Sequence, residues 1–172
     1  MVVLKLPSLR AASGLTVVEL LIVIVLIGLL ASLSFSIVQS YQYAGRDAER
    51  TSDVESIARS FEISYLRDVP PGGSPTYPNT AQAVNTGDYS DLFRGQGLDA
   101  TRAPGVTTGT SIVAATTNVQ PQNPNKDQYI YLPLRGDGSL CGAVATDCVR
   151  FLLYYRLEDG SSLRQVESIR QQ

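Results

Sequence analysis

Residues 14–35 read GLTVVELLIVIVLIGLLASLSF, and this stretch decides how the rest of the chain is organised. From Leu20 to Ala31 no side chain is polar, and one carboxylate, Glu19, stands directly before that run. A helix that is apolar on every face has to be buried in lipid or among other helices. An acidic residue at the end of such a helix predicts a functional role and a specific interaction partner.

Together with its flanks, the segment 15–37 reaches the ~20 residues that are needed to span a bilayer. Lys5 and Arg10 precede it, which predicts a cytoplasmic N-terminus for a single-pass segment. The alternative is the core of an ordinary signal peptide, for which Ser32-Leu33-Ser34 offers a small-x-small cleavage site. Glu19 argues against that alternative, because signal-peptide cores rarely hold an acid.

The heptapeptide Gly14-Leu15-Thr16-Val17-Val18-Glu19-Leu20, followed by the apolar run, resembles the N-terminal signature of type IV pilins and type II secretion pseudopilins. The family usually has Phe after the conserved glycine, where this chain has Leu15. The resemblance implies cleavage after Gly14 by a prepilin peptidase and methylation of the new amine at Leu15. It also implies that Glu19 pairs with the Leu15 amine of a neighbouring subunit.

Gly28 is the one glycine inside the apolar run. One interpretation is close packing against another helix, as small residues allow in membranes. The other, implied by the resemblance, is that the helix unwinds at Gly28 when the subunit assembles. The sequence favours neither.

Three parts follow from this pattern: a leader over 1–14, a transmembrane or filament-core helix over 15–37, and a globular domain over 38–172. Residues 38–68 are predicted to continue as an amphipathic helix, because apolar side chains recur there at helical spacing. Pro70-Pro71-Gly72-Gly73 is expected to end that helix. Its polar faces are predicted to carry charged residues, among them Arg46, Asp47 and Arg50.

The remainder predicts an αβ loop over 72–127 and a sheet over 129–170. Residues 129–134 are rich in β-formers, and residues 149–156 alternate between two faces. The predicted fold is therefore α+β, a long N-terminal helix packed on a small C-terminal antiparallel sheet.

The two cysteines, Cys141 and Cys148, lie close together after the apolar segment and predict one disulfide in an oxidising exterior. The chain has no His, so catalytic triads and most zinc sites are excluded, and neither a metal nor a cofactor is predicted. The net charge of −2 argues against nucleic acid as a specific partner. Arg135-Gly136-Asp137-Gly138 contains the integrin-binding tripeptide, but it is better interpreted as a turn.

The function implied by the resemblance is structural rather than enzymatic. The chain is expected to polymerise with copies of itself into an extracellular type IV pilus, used for adhesion, twitching motility or DNA uptake. Its expected partners are the prepilin peptidase, the pilus assembly platform and its ATPase. It is expected to be held in the cytoplasmic membrane before assembly. The alternatives are a pseudopilin or minor pilin of a secretion or competence system and, from another class, a secreted binding domain.

Overall fold

The computed structural model describes residues 14–67, 73–84, 92–93, 98–158 and 162–170, without the side chains of 33–37, Arg67 and Leu98. The predicted leader, apart from Gly14, and the helix stop at Pro70-Pro71-Gly72 lie outside these ranges. The chain divides into two compact units, residues 1–41 and residues 42–172.

The described elements run in the order helix, short helices and then strands. Helix α1 is Val17–Arg67 and α2 is Thr80–Val84, followed by a 3-10 turn at Leu98–Thr101. The strands are β1 Ile112–Ala114, β2 Tyr129–Leu134, β3 Arg150–Arg156 and β4 Leu163–Glu167. Helix α1 reaches Arg67, and Asp68, the last residue of the predicted helix, lies outside the described ranges.

The sheet is mixed, so the prediction of a purely antiparallel sheet was wrong at one edge. The strand order is β1-β2-β3-β4, and β2, β3 and β4 pair antiparallel. Strand β1 falls inside the predicted αβ loop and pairs parallel with β2, with Ile112 opposite Tyr129. A parallel pair needs a long crossover, and residues 115–128 supply it. The protein is thus α+β with a four-stranded mixed sheet.

One face of α1 within the second unit forms the main core with the sheet. Phe61 is fully buried, and its ring centroid lies 4.3 Å from that of Tyr131 and 5.4 Å from that of Phe151. The same stripe continues through Val54, Ile57 and Tyr65, which are also buried. Helical spacing of apolar residues therefore predicted the packing face correctly over residues 54–65. The same spacing also placed Tyr41, Ala44 and Ala48 on that face, and these three are exposed.

Strand β3 alternates between two cores, as its sequence predicts. Phe151, Leu153 and Tyr155 belong to the cluster that contains the helix residues. Leu152 and Tyr154 belong to a second cluster on the other face, with Leu132 and Leu134 of β2. Both faces of β2 and β3 are consequently buried.

Candidate assembly surface

The first unit presents a continuous apolar surface. Thirteen large hydrophobic side chains between Leu15 and Leu30 are exposed, from 42% at Val23 to 81% at Val17. They occupy every face of the helix, and nothing in the described part of the chain covers them. Full burial of one such side chain is worth roughly 1.5–3 kcal/mol, so a surface of this size requires a partner.

The expectation of a membrane-spanning helix over residues 15–37 finds no support within the described ranges, where no helix combines the length and hydropathy that crossing a bilayer requires.

Helix α1 begins with a cap that the sequence analysis missed. The Glu19 backbone N–H donates to the Thr16 hydroxyl oxygen at 3.2 Å, and the Leu20 N–H donates to the Thr16 carbonyl at 3.1 Å. Thr16 is therefore the N-cap, and Glu19 is the third helical residue. Thr-x-x-Glu before an apolar run is the capping-box pattern, and it was present in the sequence.

At this position Glu19 has a local role within its own helix, in addition to the predicted pairing with a neighbouring subunit. An acid in the first turn of a helix interacts favourably with the positive end of the helix dipole. Its side chain is exposed in the single chain. The predicted pairing with the Leu15 amine of a neighbour stays a prediction, because it concerns a second copy.

The two predicted glycine positions are sterically open in the single chain. A Cβ atom built on Gly14 or on Gly28 would meet nothing within 4 Å. Gly14 lies in the exposed, non-helical lead-in to α1, whereas Gly28 lies inside the helix. Neither glycine is required by packing within the described part of the chain, and the predicted roles of Gly14 and Gly28 stay predictions.

Cys141 and Cys148 form a disulfide, as predicted. The bonded loop is attached to the segment that begins α2. The Tyr77 N–H donates to the Cys148 carbonyl at 2.8 Å, and the Thr80 N–H donates to the Cys141 carbonyl at 3.3 Å. The Asn79 side-chain amide donates to the Ala145 carbonyl at 3.1 Å, so the loop holds α2 against the sheet.

The Arg135-Gly136-Asp137 tripeptide serves a turn. The Arg135 Nε lies 2.9 Å from the Asp147 carboxylate. One Asp137 carboxylate oxygen accepts from the Ser139 hydroxyl at 2.7 Å and from the Ser139 N–H at 2.9 Å, and these hydrogen bonds lower the pKa of Asp137. Both charged side chains therefore have partners within the chain.

Arg50 was predicted on a polar face of the helix, and the structure places it in the interior. Its side chain is fully buried and donates to Asp47 at 3.0 Å, to Glu158 at 2.6 Å and to the Lys126 carbonyl at 3.0 Å. Burial alone would raise the pKa of Glu158, but hydrogen bonds and charges from Arg50 and Arg46 outweigh it and lower that pKa. The network ties α1 to the chain before β2 and after β3.

Within the described ranges, no group of three or more His, Cys, Asp or Glu side chains is placed to hold a metal ion. No family model, curated protein or solved structure matches the chain. The features that bear on function are therefore the exposed apolar helix and its capped, acidic start.

Proposed function

We propose that the chain is the subunit of an extracellular filament of the type IV pilus kind, assembled through the apolar helix surface of residues 15–32. The observation that carries the proposal is the exposure of apolar side chains on every face of α1 between Leu15 and Leu30. Copies of the same helix bury such surfaces against one another, and the free energy scales with the apolar area removed from water.

Glu19 gives the proposed assembly its register. Once copies of the apolar helix surround it, an unpaired carboxylate would cost several kcal/mol. Cleavage after Gly14 would create an amine at Leu15, one residue before the helix cap at Thr16. The amine of one subunit and the carboxylate of another then neutralise each other where neither could remain alone.

Two substitutions of Glu19 distinguish a role of its charge from a role in the helix cap. Gln can replace Glu at the third helical position of a capping box but carries no charge. If Glu19 acts through its charge, Glu19→Gln and Glu19→Ala both reduce fibre yield at least tenfold, about 1.4 kcal/mol or more. The measurement is fibre yield by electron microscopy and shear recovery, divided by the amount of processed subunit in the cell.

A capping role alone gives a different pattern. Glu19→Gln would then assemble normally and only Glu19→Ala would be impaired. Normal fibres from both variants, with a normal pool of processed subunit, would refute the register role altogether.

Attachment to the cytoplasmic membrane before assembly is the second part of the proposal. It rests on the sequence, in which Leu33, Phe35 and Ile37 continue the apolar run. The prepilin peptidase would process the chain there, and the assembly platform with its ATPase would extract it. Cell fractionation of a strain lacking the platform tests this part, and recovery of the processed subunit outside the membrane fraction would contradict it.

A further inference from the structure

We infer that two copies of this chain pair antiparallel along β4, joining their sheets into one. Strand β4 is an edge of the sheet. The Leu157 N–H donates to the Ser162 carbonyl at 3.1 Å, and the Ser168 N–H donates to the Phe151 carbonyl at 3.0 Å. Because hydrogen-bonded positions alternate in an antiparallel pair, Arg164 and Val166 point their backbone groups toward β3. The backbone groups that point away from the sheet belong to Leu163, Gln165 and Glu167.

Two clefts lie between this edge and α1. Arg164 lies opposite Tyr155, and Val166 lies opposite Leu153, so their side chains share the sheet face that packs on the helix. Arg164 lines the first cleft. Val166 lines the second, acidic cleft together with Ala58, Glu55 and Glu62, and acidic side chains outnumber basic ones there by three to one.

One register pairs the whole of β4 with a second copy of itself. Pairing all five residues of β4 with those of a second copy places Gln165 opposite Gln165 and Leu163 opposite Glu167. This register brings the outward-pointing backbone groups of both copies together. A shift that centres the pair on Arg164 would set two arginines opposite each other, which is destabilising.

In the favoured register, Arg164 of the second copy lies opposite Val166, over the acidic cleft of the first copy. The Glu62 carboxylate already accepts from the Tyr77 hydroxyl at 3.0 Å and from the Ile169 N–H at 2.8 Å. The Glu167 carboxylate accepts from the Gln165 side-chain amide at 2.9 Å. Glu55 is therefore the carboxylate that the incoming guanidinium meets. The two-fold axis repeats this contact, so each dimer has two Arg164–Glu55 pairs.

Charged side chains on an edge strand ordinarily prevent pairing with other chains. Here the same charges disfavour pairing with unrelated strands. They favour pairing with a second copy, in which Arg164 and Glu55 are placed to form ion pairs, so the edge is selective for this chain. A two-fold contact closes a dimer and does not propagate. It is thus separate from the filament contact over residues 15–32, and it stands or falls independently of the proposed function.

Site-specific cross-linking of the purified full chain in detergent micelles tests the pairing. Gln165→Cys places two thiols opposite each other across the axis, at a Cα separation of ~5.5 Å that a disulfide can bridge. Glu167→Cys is the matched control, because position 167 faces position 163 of the second copy. We expect a disulfide-linked dimer on a non-reducing gel for Gln165→Cys alone. Equal cross-linking of both variants, or of neither, overturns the inference.

A charge exchange tests the proposed recognition. In the Gln165→Cys background, Arg164→Glu should lower the rate of cross-linking about tenfold, about 1.4 kcal/mol. Adding Glu55→Arg to the same chain should restore it. Arg164→Gln, an uncharged change at the same exposed position, should give an intermediate rate, and thermal unfolding verifies that each variant folds. Unchanged cross-linking in Arg164→Glu would refute the Arg164–Glu55 contact.

Discussion

Arg50 and Asp53, one helical turn apart on α1, show how burial changes the behaviour of a charge. Arg50 is fully buried and is held by two carboxylates and a carbonyl. Removing one partner of such a buried network costs about 3–5 kcal/mol, because the remaining charges lose their compensation. Asp53 is only half-buried, and the Tyr129 hydroxyl lies 3.5 Å from its carboxylate.

The ionisation of Asp53 makes stability depend on pH. Burial, and then the negative charge of Glu49, raise the pKa of Asp53 to about 6, against the hydrogen bond from Tyr129 and the charge of Arg50. In the unfolded chain the carboxyl titrates near 3.8. Above pH 6 the folded state therefore carries an unfavourable charge, and the contribution of this group to stability increases as pH falls from about 6 to 3.8.

Asp53→Asn should accordingly stabilise the protein at neutral pH and flatten its pH dependence between 3.8 and about 6. The gain should stay below about 1 kcal/mol, because solvent screens a half-exposed charge. Urea unfolding of wild type and variant at several pH values measures this. Glu49→Gln, which removes only the second cause, should show a smaller effect in the same direction. Lower stability of Asp53→Asn at pH 7 would contradict the assignment.

Among the elements, the helix stripe, the alternation of β3 and the disulfide could be predicted because each depends on residues close together in the sequence. The buried Arg50 could not, because its partners Lys126 and Glu158 lie 76 and 108 residues away in the chain. A short strand within residues 111–116 was predicted, but its parallel pairing with β2 was not, since a short parallel strand has no local turn that fixes its pairing. The cap at Thr16 could have been predicted, because Thr16-x-x-Glu19 is a capping-box pattern in the sequence. Glu19 was interpreted only as an acid beside an apolar helix.

The disulfide loop and α2 are predicted to loosen together. Replacing both Cys141 and Cys148 by Ser should lower the free energy of unfolding by about 2.5 kcal/mol, from the lost restriction of a short loop. Hydrogen exchange should accelerate most at the Tyr77 and Thr80 amides, which donate to the two cysteine carbonyls. The internal control is the Leu153 amide in β3. Uniform acceleration at all three amides would indicate general destabilisation instead.

The disulfide itself is tested by labelling the denatured, unreduced wild type with a thiol reagent. Stoichiometric labelling would contradict the disulfide.

At the scale of the whole molecule, the described residues form two units that differ in whether their apolar side chains are buried. The second unit buries its own core, whereas the first presents apolar side chains that the described chain leaves exposed. The boundary, after Tyr41, falls within the residues of α1. We therefore expect the C-terminal unit to fold without a partner and the apolar side chains of the N-terminal unit to be covered by one.

In the proposed function, cleavage after Gly14 is the first step. Gly14→Val should leave a full-length, unprocessed chain, because a branched side chain beside the scissile bond would obstruct the peptidase. The chain itself tolerates the larger residue, since a Cβ at Gly14 meets nothing within 4 Å. Mass spectrometry of the N-terminus measures processing, and Gly28→Ala, which is equally open in the chain, should be cleaved and methylated at Leu15 normally. Normal cleavage of Gly14→Val would show that the peptidase does not require glycine at position 14.

The packing of Phe61 against Phe151 also sets the order in which the chain can fold during synthesis. The helix residues of the core are made first, and the β3 residues that cover them are made about 90 positions later. Until the ribosome has passed β3, the stripe from Val54 to Tyr65 has no sheet to pack on. Contacts between residues so far apart in sequence form slowly, and apolar surface is exposed while they do. The apolar stripe of the nascent helix is therefore exposed during synthesis, before it becomes the centre of a domain.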